Sequence, residues 1–255
     1  MIDYVGMLNT LKIALGDREA KHSLLAKISA PFIPSFNNDF NQTKNRVVLV
    51  GQETNGWHGD LYTAIKSDES ITSLVEKSQK SHDRLSVSEN ERSIFLKFMS
   101  RMKECNDKQF VQWLNFYAFD FNNSSLHRLK KIDNALYEEL VEFSVLLLSE
   151  QLKVLNPKII FFAGQYHGNY PKLESMMNLE SSYSLEHKIS GLNVKVWNDE
   201  ILIVRIPHPG SWKKTSRNIR LQSLELLKLF NESKNVDELK KMKTYGDVKI
   251  PLSNN

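Results

Sequence analysis

The sequence predicts an α/β fold built on a central, mostly parallel sheet of four or five strands flanked by helices. Apolar runs at 46–50, 110–115, 158–163 and 201–206 each stop abruptly at Gly, Asn or Pro, as buried strands do. Segments with helical spacing lie between them, and strand–helix–strand alternation marks a parallel sheet. At 255 residues the chain can hold one such domain with a real core, and nothing in it demands a second.

The elements follow in order. Residues 2–15 and 19–29 carry apolar positions near helical spacing until Pro31 and Pro34 break the pattern, so 1–45 reads as a helical N-terminal flank. The first strand ends in Gly51-Gln-Glu-Thr-Asn55. Beyond Trp57 the chain is polar and serine-rich to about 88, apart from Ile65 and Leu74, which predicts a long loop or short helix. Ser88-Glu-Asn-Glu91 has the form of a capping box, and Ile94, Phe95, Phe98, Met99 and Met102 follow on one face, predicting a helix over 89–104.

Phe110–Asn115 is the second strand. Leu136–Leu155 is a long amphipathic helix stopped by Asn156-Pro157, and Lys158–Gly164 is the third strand. Val194–Trp197 and Ile201–Ile206 flank Asn198-Asp-Glu200, the pattern of a hairpin. Ser216 is placed to cap a last helix with Ile219, Leu226, Leu227 and Phe230 on one face. The main domain thus spans 46–230, with an insertion near 168–198, and 231–255 is a polar tail.

Composition narrows the function classes. A hydrophobic content of 41% and a charged content of 25% are those of a globular protein, and no apolar run approaches the roughly 18 residues of a membrane span. The first residues lack the basic and apolar regions of a secretory signal, so the expected location is the cytoplasm. The single cysteine, Cys105, allows neither an intramolecular disulfide nor a thiolate zinc site, and its setting suggests a helix end. No metal-ligand spacing occurs, and no metal or cofactor is expected. A net charge of +4 leans mildly towards a polyanionic partner.

Open α/β sheets bind ligands at the carboxyl edge of their strands. Gln52, Glu53 and Asn55 lie past one strand end, Asn115 at a second and His208 past another, and a carboxylate with an imidazole suits acid/base or electrostatic chemistry. A Gly-x-Ser-x-Gly elbow and a phosphate-cradling Gly-rich loop are both absent, which argues against an α/β-hydrolase.

Four strings at these strand ends, Gly51-Gln-Glu-Thr-Asn55, Trp113-Leu-Asn115, Phe162-Ala-Gly-Gln-Tyr-His167 and His208-Pro-Gly-Ser-Trp212, together resemble the uracil-DNA glycosylase superfamily. Its best-known branch has Gly-Gln-Asp-Pro-Tyr, Leu-Leu-Asn, Trp-Gly-Ser-His and His-Pro-Ser-Pro-Leu in the same order. The resemblance covers about 46–220. It implies a three-layer sandwich and a monofunctional DNA glycosylase, which flips a base out of duplex or single-stranded DNA and hydrolyses its N-glycosidic bond without a cofactor. Glu53 then takes the place of the motif aspartate, positioning water and stabilising a cationic sugar. His208 donates a hydrogen bond to the departing base, helped by the Gln52 backbone amide, and Asn115 reads the base edge.

By the same resemblance, Trp57, Tyr62, Phe116 and Tyr117 are candidates to stack on the base. Trp212 stands where the family carries an apolar wedge, beside Ser211 and the phosphate-binding charges Lys213, Lys214, Arg217 and Arg220. His167 is offset by one residue from the family spacing, and His58 lies near the expected pocket. Where the uracil-specific branch has Pro-Tyr this chain has Thr54-Asn55, a smaller and more polar gate. That departure suggests a C5-modified pyrimidine, such as 5-hydroxymethylcytosine or its glucosylated form in phage DNA, with restriction of foreign DNA as the role. Uracil excision in repair remains the other substrate reading, and a non-catalytic DNA-binding module with the same fold is the alternative of another class.

Overall fold

A computed structural model describes residues 2–17, 19–37, 39–87, 93–106, 110–178, 181–185, 193–197, 201–211 and 213–232. Helices α1 (Tyr4–Ala14), α2 (His22–Leu25) and α3 (Asp39–Gln42) lead to strand β1 (Val47–Gly51). Helices α4 (Leu61–Ala64), α5 (Asp68–Val87) and α6 (Ile94–Cys105) precede β2 (Gln112–Asn115). A 3-10 helix over Leu126–Lys131 and α7 (Asn134–Leu155) precede β3 (Ile159–Ala163). The chain continues through α8 (Tyr170–Met176), β4 (Ser181–Leu185), β5 (Asn193–Trp197), β6 (Ile201–Ile206) and α9 (Lys214–Glu232).

Among the described residues the strands form one six-stranded sheet in the order β2-β1-β3-β6-β5-β4. β2, β1, β3 and β6 are mutually parallel, and β5 is antiparallel to both of its neighbours. The sheet exceeds the expected four or five strands because Ser181-Ser-Tyr-Ser-Leu185 pairs as an edge strand, although it has no apolar run to announce it. The hairpin pairing of β5 with β6 matches the sequence pattern, and its turn, 198–200, lies outside the described residues.

Residues of β1 and β3 are buried on both faces, and they alternate between two cores. Val48, Val50, Ile160 and Phe162 face α1, α7 and α8, while Val47, Leu49, Ile159 and Phe161 face α6 and α9. Helices therefore cover both faces of the sheet, giving three layers. Each fully buried aliphatic or aromatic side chain contributes about 1.5–3 kcal/mol. Tyr4, Leu8, Leu11 and Leu25 of the N-terminal flank belong to the same core as α7.

Local signals set most of the boundaries. Asp133 caps α7 by accepting from Leu136 N–H, and Asn156 ends it in the left-handed region at φ 43°. The 94–105 helix starts later than the sequence pattern suggests, because Ser93 is its cap and accepts from Leu96 N–H; the capping box over 88–91 lies outside the described residues. α9 begins at Lys214, so Ser216 sits inside its first turn, buried, and accepts from Ser211 Oγ at 3.0 Å instead of capping. Cys105 is the last residue of α6.

The largest departure is α5. The segment expected to be loop or short helix is a helix of 20 residues whose inward face is Ile71, Leu74, Ser78 and His82. Ser78 Oγ accepts from Ile33 N–H (2.9 Å) and Trp57 Nε1 (2.8 Å) and donates to the Ile33 carbonyl (2.9 Å). His82 stacks on Trp113 and its Nε2 lies 3.0 Å from the Trp113 carbonyl. Polar residues with satisfied partners fill the face where apolar ones would have shown the period. Among the described residues no helix is long and apolar enough to cross a membrane.

Candidate active site

The carboxyl ends of β1 and β6 open into a cleft of ≈ 300 Å³ lined by Gln52, Glu53, Thr54 and Asn55, by Ser124 and Ser125 at the start of the 3-10 helix, and by His208. The cleft brings Gln52, Glu53, Thr54, Asn55 and His208 together. β1 and β6 are not neighbours; β3 lies between them and supplies Gly164 at its end. A Cβ on Gly164 would come within 3.0 Å of Gln52 Cβ, so the absence of a side chain there lets the first loop sit down on the third strand.

Glu53 accepts at Oε2 from Leu126 N–H (3.3 Å) and Ser125 Oγ (3.5 Å), and at Oε1 from Gln52 Nε2 (3.1 Å). Partial burial is the main cause that pushes its pKa up from 4.5 to about 7; the three hydrogen bonds oppose it, and the charge of Asp120 adds to it. A carboxyl poised near neutrality is suited to exchange a proton at neutral pH. Asp120 holds the loop from behind, accepting from Gly56 N–H at 2.7 Å and from Thr54 Oγ1 at 3.4 Å. Thr54 is therefore turned towards Asp120, and Asn55 is exposed at the rim.

Gln52 is an amide with each polar atom assigned. Its Oε1 accepts from Gln165 N–H (3.1 Å), and its Nε2 donates to Glu53 and lies 3.5 Å from His167 Nε2. Since Gln52 Nε2 can only donate, His167 Nε2 is an acceptor, which places the His167 proton on Nδ1. His167 stacks on His127 with ring centroids 4.2 Å apart and planes at 4°, and burial followed by His127 holds its pKa below the usual imidazole value. His127 itself reaches Tyr137 Oη at 3.3 Å. His167 thus stands behind Glu53 and Gln52; it does not line the cleft.

His208 follows β6 in the turn Pro207-His-Pro-Gly210. Gly210 N–H donates to its Nδ1 at 3.1 Å, so the neutral ring carries its proton on Nε2 as a donor. A Cβ at Gly210 would lie 3.1 Å from Nδ1, which explains a glycine at this turn. Desolvation, with Arg220 second, holds the His208 pKa below that of a free imidazole. The ring is exposed towards the cleft, and Phe95 stacks beside it at 6.4 Å and 22°. Arg220 Nη1 anchors the turn by donating to the Ser211 (3.2 Å) and His208 (3.4 Å) carbonyls.

Several expected residues lie elsewhere. Asn115 is buried opposite Gly51, its Oδ1 accepts from Trp113 Nε1 at 3.0 Å, and its Nδ2 has no partner among the described residues. Trp57 is a core residue with its indole N–H held by Ser78 and its ring against Phe32 and Trp113. Tyr62 donates to Glu19 Oε1 at 2.6 Å, away from the cleft. Phe116 and Tyr117 are fully buried in the core, with Tyr117 Oη donating to the Tyr166 carbonyl. Trp57 and Tyr117 are drawn inward because each buries a large apolar area and its polar tip finds a partner there. The His58 ring lies against Trp57, with Arg84 and Lys77 of α5 as its charged neighbours, and takes no part in the cleft.

Lys213, Lys214 and Arg217 are exposed around the start of α9, and Trp212 lies outside the described residues. Phe95, Ser125, Lys97 and Arg101 are additions that the sequence pattern did not single out. Lys97 and Arg101 of α6 join Arg217 and Arg220 of α9 in a groove next to Pro209. Their only sequence signal is cations at i and i+4 on a helix that precedes a strand. Among the described residues no group of three or more His, Cys, Asp or Glu could hold a metal ion. No protein-family model matches the chain, and no curated protein matches it.

Proposed function

We propose that the protein is a DNA glycosylase that hydrolyses an N-glycosidic bond in this cleft. The observation that carries the reading is the convergence of Glu53 and His208, from two separate strand ends, on one polar cleft with opposite chemical duties. Breaking the bond leaves a cationic sugar and an anionic base, so the site needs a negative group at one end and a donor at the other.

Glu53, when ionised, stabilises the sugar cation and accepts a proton from the water that adds its oxygen to the anomeric carbon. The N–H of Leu126, the hydroxyl of Ser125 and the amide of Gln52 fix the carboxylate orientation and favour its charged form. The electron pair of the broken bond leaves with the base, and His208 Nε2–H donates to the carbonyl oxygen on which that charge collects. A neutral imidazole suits this task, since it donates without having to lose a charge-bearing proton. A donor of this kind is worth about 2.7–4 kcal/mol, or 10²–10³ in rate.

Phe95, parallel to the His208 ring and half-buried, supplies the stacking surface that Trp57, Tyr62, Phe116 and Tyr117 do not. The lining between Gln52 and Asn55 and at Ser124 and Ser125 contains no aromatic ring, which favours a pyrimidine with a polar C5 substituent over plain uracil.

The test is an oligonucleotide panel carrying uracil, a thymine mismatch, 5-hydroxymethylcytosine and glucosylated 5-hydroxymethylcytosine, assayed for abasic sites. Abasic product on a modified cytosine supports the full reading, and product on uracil alone removes the C5 argument. No product on any substrate, with DNA still bound, favours the binding-module alternative.

A further inference from the structure

The groove between α6 and α9 opens beside Pro209, one residue past His208. We propose that this groove is a second nucleotide subsite, which takes the unpaired neighbour of the extruded nucleotide with its phosphate among four cations and its base on an apolar floor. The inference rests on the DNA glycosylase reading and adds to it a preference for single-stranded or locally melted DNA.

Lys97 and Arg101 stand one turn apart on α6 and face Arg217 and Arg220 on α9. No ion pair joins any of the four to an acid among the described residues. Their mutual repulsion is felt at Arg220, whose pKa is held below the usual guanidinium value by burial and then by Arg217 and Arg101. Like charges gathered without counter-charges destabilise a fold, and a polyanion turns that cost into affinity.

Charge alone would fit any phosphate backbone; the floor distinguishes the occupant. Phe98 and Leu224 form its buried part, and Ile94 and Leu221 remain 44% and 38% exposed at its edge. The phosphates of a paired duplex need no apolar contact, because their bases keep their faces inside the stack. An unstacked base has two apolar faces to cover, and an apolar floor takes one of them out of water. The volume of ≈ 250 Å³ suits a base with its sugar.

The groove is also tied to the chemistry. Arg220, which lines it, donates to the carbonyls of His208 and Ser211, so its occupant touches the turn that presents the leaving-group donor. The groove and the cleft share one turn, with His208 lining the cleft and Pro209 the groove.

The test uses the full chain with Glu53→Gln, which removes the proposed turnover, and measures anisotropy of a labelled unmodified strand and of its duplex over a range of salt. The strand is expected to bind at least about tenfold tighter than the duplex. Leu221→Asp, at an exposed position, should weaken strand binding about tenfold and duplex binding far less. Arg101→Ala should lower the salt slope for the strand by about 0.7, the value for one lost phosphate contact. Equal binding of strand and duplex, equal loss of both in Leu221→Asp, or an unchanged slope in Arg101→Ala overturns the proposal. Abasic-site formation by the unmutated protein is scored separately. Its absence alongside strand-selective binding refutes the glycosylase reading and leaves the subsite, and its presence alongside equal binding does the reverse.

Discussion

Replacing Glu53 by Gln should make the protein more stable at alkaline pH while abolishing its activity. Burial raises the Glu53 pKa from 4.5 to about 7, so the folded cleft holds the carboxyl proton more tightly than the unfolded chain does. The stability contributed by the neutral carboxyl is complete below about 4.5 and is lost as pH rises through about 7. At about 1.4 kcal/mol per tenfold change in proton affinity, the full loss is about 3.5 kcal/mol, and solvent in the open cleft reduces it to about 2. The Gln amide keeps an acceptor for Leu126 N–H and Ser125 Oγ but carries no charge to desolvate. Chemical denaturation at pH 5 and pH 8 reads the difference directly: near zero at pH 5, with the variant about 2 kcal/mol more stable at pH 8. A variant that is equally or less stable at pH 8, or that differs by the same amount at both pH values, refutes the reasoning.

Other perturbations probe the support around the cleft. Gly51→Ala puts a Cβ 2.6 Å from Asn115 Oδ1 and 3.0 Å from the Phe95 ring, so Asn115 must leave Trp113 Nε1; a loss of about 2–4 kcal/mol in denaturation, with reduced activity, is expected. Ser78→Ala strands Trp57 Nε1 and the Ile33 amide in the core and should cost about 2–4 kcal/mol, visible as a lowered Tm. His167→Ala removes the acceptor that helps align Gln52 and should lower kcat about fivefold, the value of one hydrogen bond near 1 kcal/mol, with KM unchanged. A raised KM with kcat unchanged would mean that His167 acts through something other than the Gln52–Glu53 pair.

The strands other than β4, and α7, were legible because their signals are local: Val47–Gly51 and Ile159–Ala163 are continuous apolar runs, and Asn156-Pro157 marks the end of α7 without help from the rest of the fold. Helix α5 was not legible, since Ser78 and His82 occupy its buried face and are stable there only through Ile33, Trp57 and Trp113, partners distant in sequence. The cleft follows the same division. Glu53 and His208 could be named because strand ends present them. Ser125 and Phe95 could not, because a helix cap and a ring beside an imidazole become site features only when tertiary packing places them. Aromatic content misled in the opposite direction: Trp57 and Tyr117 follow strand ends closely, yet their polar tips are satisfied inside the core.

The central claim is that the Glu53–His208 cleft splits the bond between base and sugar by adding water. Mass spectrometry of a cleavable modified-cytosine oligonucleotide after incubation with the protein tests it most directly. The account predicts free base together with a full-length strand bearing an abasic sugar, loss of both products in Glu53→Gln, and about 10²–10³-fold slower formation in His208→Ala. An unchanged strand, or undiminished base release by Glu53→Gln, would contradict it.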